Sequence, residues 1–192
     1  MKHINKLHIT SATALLVTLI VGCEERTPAP ATSSEAPSQS QAEAPGSTLP
    51  DGLLATSPLA GAVGVVEARK EVMPGSDLVV TGYIGGREEP LVDGRAIFTL
   101  ADSKAVTPCD AIPGDSCETP WDACCVSSEI IKASIASVQV ADADGVVLKH
   151  SLTGLGGIKP GARVTVQGKI AASSSDSVLI VNAEKIHVTQ KP

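Results

Sequence analysis

Two stretches of the chain decide its fold, Gly75-Ser-Asp-Leu-Val-Val-Thr-Gly82-Tyr-Ile-Gly85 and Gly161-Ala-Arg-Val-Thr-Val-Gln-Gly168-Lys-Ile-Ala171. Each begins with a glycine suited to a turn, continues with alternating apolar positions and has a second glycine near its middle. Alternation with period two places the apolar side chains on one face of a β-strand, and a glycine inside a strand permits a sharp bend. The two stretches therefore predict two bent strands of one small β-barrel.

Further runs with period two lie between and after these stretches, and two connections carry Asp-Gly, a pair favoured in tight hairpin turns. The runs are Ala96–Asp102, Ser134–Val140, Val146–Leu152 and Ser177–Val188. Together they predict a mainly β fold of five to six strands with a single core. The side chains expected to contribute to that core are Val80, Ile84, Phe98, Ile135, Val166, Ile170 and Ile180.

One short helix is expected before the first strand, over Pro58–Lys70. Ser57 is placed to cap it, and Pro58 suits the first helical turn. Gly61 and Gly64 weaken the helix, so a strand over the same residues is the alternative.

The order of these strands resembles an OB-fold barrel. The resemblance rests on the pattern G-x-x-V-x-V-x-G-x-I, on a following strand that ends in Leu-Ala-Asp, and on the final run V-L-I-V-N-A-x-x-I-x-V. It implies a small antiparallel barrel in which the usual helix before the fourth strand is reduced to Gly154–Gly161. The implied strands are Leu78–Gly85, Ile97–Ala101, a long bent hairpin over Ile135–Leu152, Val164–Ala171 and Val178–Val188.

The composition excludes the usual nucleic-acid ligand of that family. OB-folds that bind single strands use stacking aromatic side chains in a basic groove. This chain has one Trp, one Tyr and one Phe, and its formal net charge is −6. A negative surface repels phosphate backbones, so we expect no nucleic acid partner.

The first residues are typical of an export signal. Lys2 and Lys6 give a positive start, and an apolar run over Ile9–Val21 ends at the small residue Gly22, just before Cys23. This order of features marks a cleaved signal, and the run is too short for a stable membrane-spanning helix.

The tetrapeptide Ile20-Val-Gly-Cys23 resembles the signal of bacterial lipoproteins processed by signal peptidase II. The resemblance implies that residues 1–22 are removed as a signal peptide and that Cys23 carries the lipid that anchors the protein to a membrane. Several acyl chains bind a bilayer far more firmly than one. In that family an Asp after the cysteine retains the protein at the inner membrane. Here the residue is Glu24, which favours the outer membrane, facing the periplasm.

The residues after the anchor form a tether. Residues 23–52 contain scattered prolines and almost no large aliphatic side chain, a composition that cannot build a core and predicts disorder. The barrel domain is then expected over residues 53–192.

Four cysteines occur together in a loop over residues 103–130, which is inserted between the second and third barrel strands. They are Cys109, Cys117, Cys124 and Cys125. The end of the loop, Pro-Trp-Asp-x-Cys-Cys, resembles a loop in uncharacterised exported bacterial proteins, a likeness that implies no known activity. Outside the cytoplasm such cysteines most simply form two disulfides. Adjacent cysteines seldom bond each other, so Cys124 and Cys125 would pair with Cys109 and Cys117, in either of two connectivities.

The alternative is a metal site, because four thiolates can bind zinc or cuprous copper. Asp102, Asp110, Asp115, Glu118, Asp122 and Glu129 surround the cysteines and attract cations. A redox-active pair is disfavoured, because the C-x-x-C spacing common in such pairs is absent.

The sequence lacks a G-x-S-x-G nucleophile elbow and a phosphate-binding loop, so no enzyme is expected. The function predicted is that of a non-enzymatic lipoprotein of the cell envelope whose barrel binds a protein or another envelope component, without a cofactor. The alternative function is handling of zinc or copper by the four loop cysteines.

Overall fold

The structure is a computed structural model, and it describes residues 48–189 of the chain. The predicted signal peptide, the lipidation site Cys23 and most of the tether lie outside the described residues. Leu49, near the end of the predicted tether, already packs against the core of the barrel. No helix within residues 48–189 has the length and apolar character needed to cross a bilayer.

Within residues 48–189, six strands form one sheet, and five of them close into a barrel. The strands are β1 (Val63–Gly64), β2 (Asp77–Ile84), β3 (Ile97–Ala101), β4 (Ile135–Gln139), β5 (Arg163–Ile170) and β6 (Ile180–Thr189). The barrel runs in the order β2-β3-β4-β6-β5, and β5 pairs back onto β2. Pairs are antiparallel except β4–β6 and the extra pair β1–β2, which are parallel. The small, mainly β barrel expected from the sequence is confirmed.

The glycines in the middle of the two repeated stretches lie where strands approach each other most closely. At Gly82, β2 passes from its long pairing with β5 to a short pairing with β3. At Gly168, the register between β5 and β6 shifts. A Cβ at Gly82 would overlap the carbonyl oxygen of Ala101, and one at Gly168 would overlap that of Asn182. Both positions therefore require glycine because of this close contact, and the equivalent strand bends expected there stay a prediction.

The barrel core contains most of the predicted residues. Val80, Ile84, Phe98, Val166 and Ile170 are all buried in it. Ile180 and Ile135 are not, and these two predictions are wrong. Adjacent strand residues point to opposite faces, and here Leu179 and Val181 face the core while Ile180 is half-buried. Ile135 packs instead against a second, smaller apolar cluster outside the barrel.

The helices differ from the expectation. The predicted helix over Pro58–Lys70 is reduced to one turn, α1 (Val65–Ala68), preceded by β1. Gly61 adopts a positive φ of 77°, which ends any helix that starts at Pro58. A second helix that the sequence did not predict, α2 (Ser128–Ser134), runs directly into β4.

The long hairpin expected over Ile135–Leu152 is also shorter. β4 ends at Gln139, and the return arm makes a single isolated bridge, Ala141 to Val147. The side chain of Asp142 accepts hydrogen bonds from the backbone N–H groups of Asp144 and Val146, at 3.0 and 2.8 Å. Such local bonds compete with a strand ladder. Before β5, the position of the usual OB-fold helix holds a short 3-10 turn, Leu155–Gly157.

Candidate functional site

The loop that contains the cysteines starts from a fixed point on the barrel. Asp102, just after β3, is buried, and its two carboxylate oxygens accept hydrogen bonds from the backbone N–H groups of Val66 and Lys104, both at 2.9 Å. This carboxylate joins the start of the loop to α1. Because both of its oxygens accept backbone hydrogen bonds, Asp102 has a structural part at the start of the loop. Its expected contribution to cation attraction stays a prediction.

Two arms of the loop run side by side. The backbone N–H of Cys109 donates to the carbonyl of Asp122 at 2.9 Å, and that of Asp110 donates to the carbonyl of Pro120 at 3.0 Å. The first arm begins in a 3-10 turn, Cys109–Ala111. This pairing brings Cys109 beside Cys124 although the two are far apart in the sequence.

The second arm is held on the barrel by Trp121. Its carbonyl accepts a hydrogen bond from the backbone N–H of Gly86 at 3.0 Å, and its indole N–H donates to the carbonyl of Glu88 at 2.8 Å. A Cβ at Gly85 would overlap the Trp121 carbonyl oxygen. The absence of a side chain at Gly85 therefore lets the loop lie directly on the end of β2.

A small apolar cluster supports the loop from below. Its buried members are Tyr83, Ala101, Val106 and Ala123, and Ile135 packs against them. Because strand and loop residues share this cluster, the loop has an apolar base of its own, which the sequence did not reveal.

Three sulfur atoms converge above this base. The Sγ atoms of Cys109 and Cys124 are 3.5 Å apart, and those of Cys117 and Cys124 are 3.9 Å apart. All three Sγ atoms lie within 4.8 Å of one another. Cys124 is therefore the central sulfur of the group.

The three sulfurs differ in environment. Cys109 is buried, Cys117 is half-buried and Cys124 is exposed. Burial raises the pKa of the Cys109 thiol to about 12. The hydroxyl and the carbonyl of Thr119 lie 3.4 and 3.6 Å from the Cys117 sulfur, and these contacts lower the pKa of that thiol. The group therefore has a protected interior side and an open exterior side.

Cys125 is placed differently from the other three. It is exposed, and its Sγ lies 3.9 Å from that of Cys124 and 3.9 Å from a carboxylate oxygen of Asp115. The loop thus brings three of the four predicted site cysteines into one cluster and leaves the fourth at its edge.

All four cysteines are thiols in the structure, and their disulfide pairing stays a prediction. Of the two connectivities left open by the sequence, the shortest sulfur separation, Cys109 to Cys124, favours the one that also pairs Cys117 with Cys125.

Two residues near the cluster were not recognised from the sequence. Thr119 contacts the Cys117 sulfur, and a Thr two residues after a Cys was the available signal. Tyr83 lies under the loop, and within residues 48–189 its buried hydroxyl has no hydrogen-bond partner. Burial raises the pKa of Tyr83, and the nearby Asp122 and Cys109 add to the rise. As one of three aromatic residues in an aliphatic chain, Tyr83 could have been singled out.

Comparison with known proteins adds little to this picture. No family model matches the chain, and no curated protein matches it significantly. A solved structure that aligns with it is an OBody, AM1L10, bound to hen egg-white lysozyme, with 15% sequence identity and a TM-score of 0.32. That alignment covers 64% of this chain and 91% of the OBody.

Proposed function

We propose that this protein is a lipid-anchored lipoprotein of the cell envelope whose barrel carries a thiolate site for zinc or copper(I). The observation that supports the proposal best is the spacing of the loop sulfurs. In a tetrahedral site with metal–sulfur bonds of about 2.3 Å, neighbouring sulfurs are roughly 3.8 Å apart. The separations of 3.5 and 3.9 Å around Cys124 agree with that value.

The charge around the cluster supports cation binding. Asp110, Asp115, Glu118 and Asp122 lie in the loop with the cysteines, and Lys104 is the one basic residue between β3 and α2. A negative field of this kind raises the local concentration of cations. Soft thiolate ligands then select zinc and copper(I) over the harder magnesium and calcium ions.

The solvent exposure of Cys124 supports storage or delivery of a metal ion over a purely structural metal site. A structural zinc site is closed by its ligands within the protein. Here Cys124 is exposed on the solvent side of the cluster. An ion bound there would be within reach of another ligand, as storage or delivery requires.

The second candidate is the interaction module that the sequence favoured, with the loop held by two disulfides. The 3.5 Å separation of the Cys109 and Cys124 sulfurs supports it, because a small side-chain rotation would bring them to bonding distance. An oxidising compartment favours that pairing unless a metal ion binds first.

Metal analysis combined with free-thiol counting separates the two candidates. The full chain is purified from the envelope fraction without reductant or chelator. We expect close to one equivalent of zinc or copper, with loss of the metal in Cys109→Ser and full retention in Ser116→Ala, an exposed position in the same loop. If the protein contains no free loop thiol and does not bind either metal after reduction, the metal function is wrong and the interaction module stands.

A further inference from the structure

We propose that the metal is copper(I), bound by the three thiolates of Cys109, Cys117 and Cys124, and that Cys125 is not a ligand. This inference rests on the proposed function and narrows it to one ion and one set of ligands.

The number of available ligands carries the inference. Among the described residues, a single group of three or more Cys, His, Asp or Glu side chains has its ligand atoms within 4.8 Å of one another, and it consists of these three cysteines. Neither Cys125 nor any carboxylate or imidazole belongs to it. The protein therefore offers three sulfur ligands that are all close to one another. The Cys125 sulfur is also 3.9 Å from that of Cys124, but it does not belong to this mutually close group.

Zinc and copper(I) differ in whether three thiolates complete the coordination of the ion. Structural zinc is almost always four-coordinate, and with three protein ligands it keeps a water or a substrate in the fourth position. Copper(I) is a soft ion that prefers thiolate ligands, and three of them complete a trigonal site without a water. The separations of 3.5 and 3.9 Å do not distinguish the two ions. The number of sulfurs in the group therefore favours copper(I) over zinc.

The position of Cys125 explains why four cysteines do not make a four-sulfur site. Its sulfur contacts that of Cys124 at 3.9 Å but lies on the side of Asp115, at 3.9 Å from a carboxylate oxygen. Cys109, by contrast, is buried, whereas Cys125 is exposed. Because the Cys125 sulfur does not belong to the group whose members all lie within 4.8 Å of one another, a single ion bound to Cys109, Cys117 and Cys124 leaves Cys125 outside.

The test compares two single substitutions of loop cysteines that are both at least partly accessible, Cys117→Ser and Cys125→Ser. The full chain is purified under reducing conditions, and copper(I) affinity is measured by competition with the chromophoric chelator bicinchoninate. Zinc affinity is measured in parallel with a zinc-binding dye. Far-ultraviolet circular dichroism before and after urea titration confirms that each variant retains the folded barrel.

We expect one copper(I) per chain. Because loss of a residue that only contacts a metal ligand typically costs about 10- to 100-fold in affinity, Cys117→Ser, which removes a ligand, should lose more than about 100-fold, and Cys125→Ser no more than about tenfold. X-ray absorption of the copper form should show three sulfur neighbours and no oxygen.

Equal losses in both variants, or tighter binding of zinc with four sulfur neighbours, would overturn this inference while the proposed function survived. If the reduced wild-type protein binds neither ion, the proposed function fails and the inference fails with it.

Discussion

At the scale of single residues, Gly82 shows how closely the strands of this barrel approach one another. Its backbone lies against the carbonyl of Ala101 on β3, and there is no space for a Cβ. We expect Gly82→Ala to lower the free energy of unfolding by about 2–4 kcal/mol, because the added methyl group displaces a strand backbone and not a flexible side chain. Urea unfolding followed by circular dichroism measures the change.

The control for this substitution is Gly145→Asn in the turn after β4. Gly145 has a positive φ of 79°, and nothing lies within 4 Å of a Cβ built there. Asn tolerates the left-handed region, so its cost should be below about 1 kcal/mol. Comparable losses in the two variants would show that Gly82 is not required by close strand contact.

The residues around Ile180 explain why this residue was wrongly assigned to the core. The run Val178-Leu-Ile-Val has four apolar residues in a row, so its alternation does not show which of them face the core. The structure buries Leu179 and Val181 and turns Ile180 to the other face. In contrast, Val166 lies between Thr165 and Gln167, and these polar neighbours fix the phase of its strand. Val80 was assigned correctly because it occupies the same place as Val166 in the repeat.

At the scale of elements, the loop over residues 103–130 is a unit distinct from the barrel core. Its buried residues pack with Tyr83 and Ala101 in the smaller cluster, while the larger cluster is built from the strands. We expect a chelator to increase amide hydrogen exchange in residues 109–126 by at least about tenfold, with β2 and β5 unchanged. Hydrogen-exchange mass spectrometry measures both regions in one experiment.

The same hydrogen-exchange measurement with reductant in place of chelator tests the disulfide alternative. If reductant without chelator loosens residues 109–126, and chelator without reductant does not, disulfides hold the loop. In that result the cysteines serve the interaction module and the metal site is wrong.

The sequence could predict that this loop was special but not how it is built. Four cysteines and a tryptophan in a short span mark it plainly. The approach of Cys109 to Cys124, however, depends on the hydrogen bonds of Cys109 and Asp110 to the opposite arm, and no local pattern encodes that pairing. The helix α2 was also missed, since its seven residues are too few to show a helical period.

At the scale of the whole molecule, the predicted lipid anchor is the feature to test first. Cys23 lies outside the described residues, and its lipidation is a prediction from Ile20-Val-Gly-Cys23. We expect Cys23→Ser to abolish labelling by radioactive palmitate and to release the protein from the membrane pellet or leave it as an uncleaved precursor. The matched control is Cys125→Ser, which should label and sediment like the wild type. A Cys23→Ser protein that still incorporates palmitate contradicts the lipoprotein assignment.

The closure of the barrel has a consequence for the order of assembly during synthesis. β6 is the last strand, and it pairs with β5 on one side and with β4 on the other, so the barrel stays open until residues 180–189 have been made. Contacts between distant parts of a chain form slowly.

The members of the smaller cluster, by contrast, all lie between Tyr83 and Ile135 in the sequence. The residues of the loop and of its apolar base have thus all been synthesised while β5 and β6 are still unmade. A chain that stops before residue 180 would therefore contain every member of the smaller cluster but could not close the barrel.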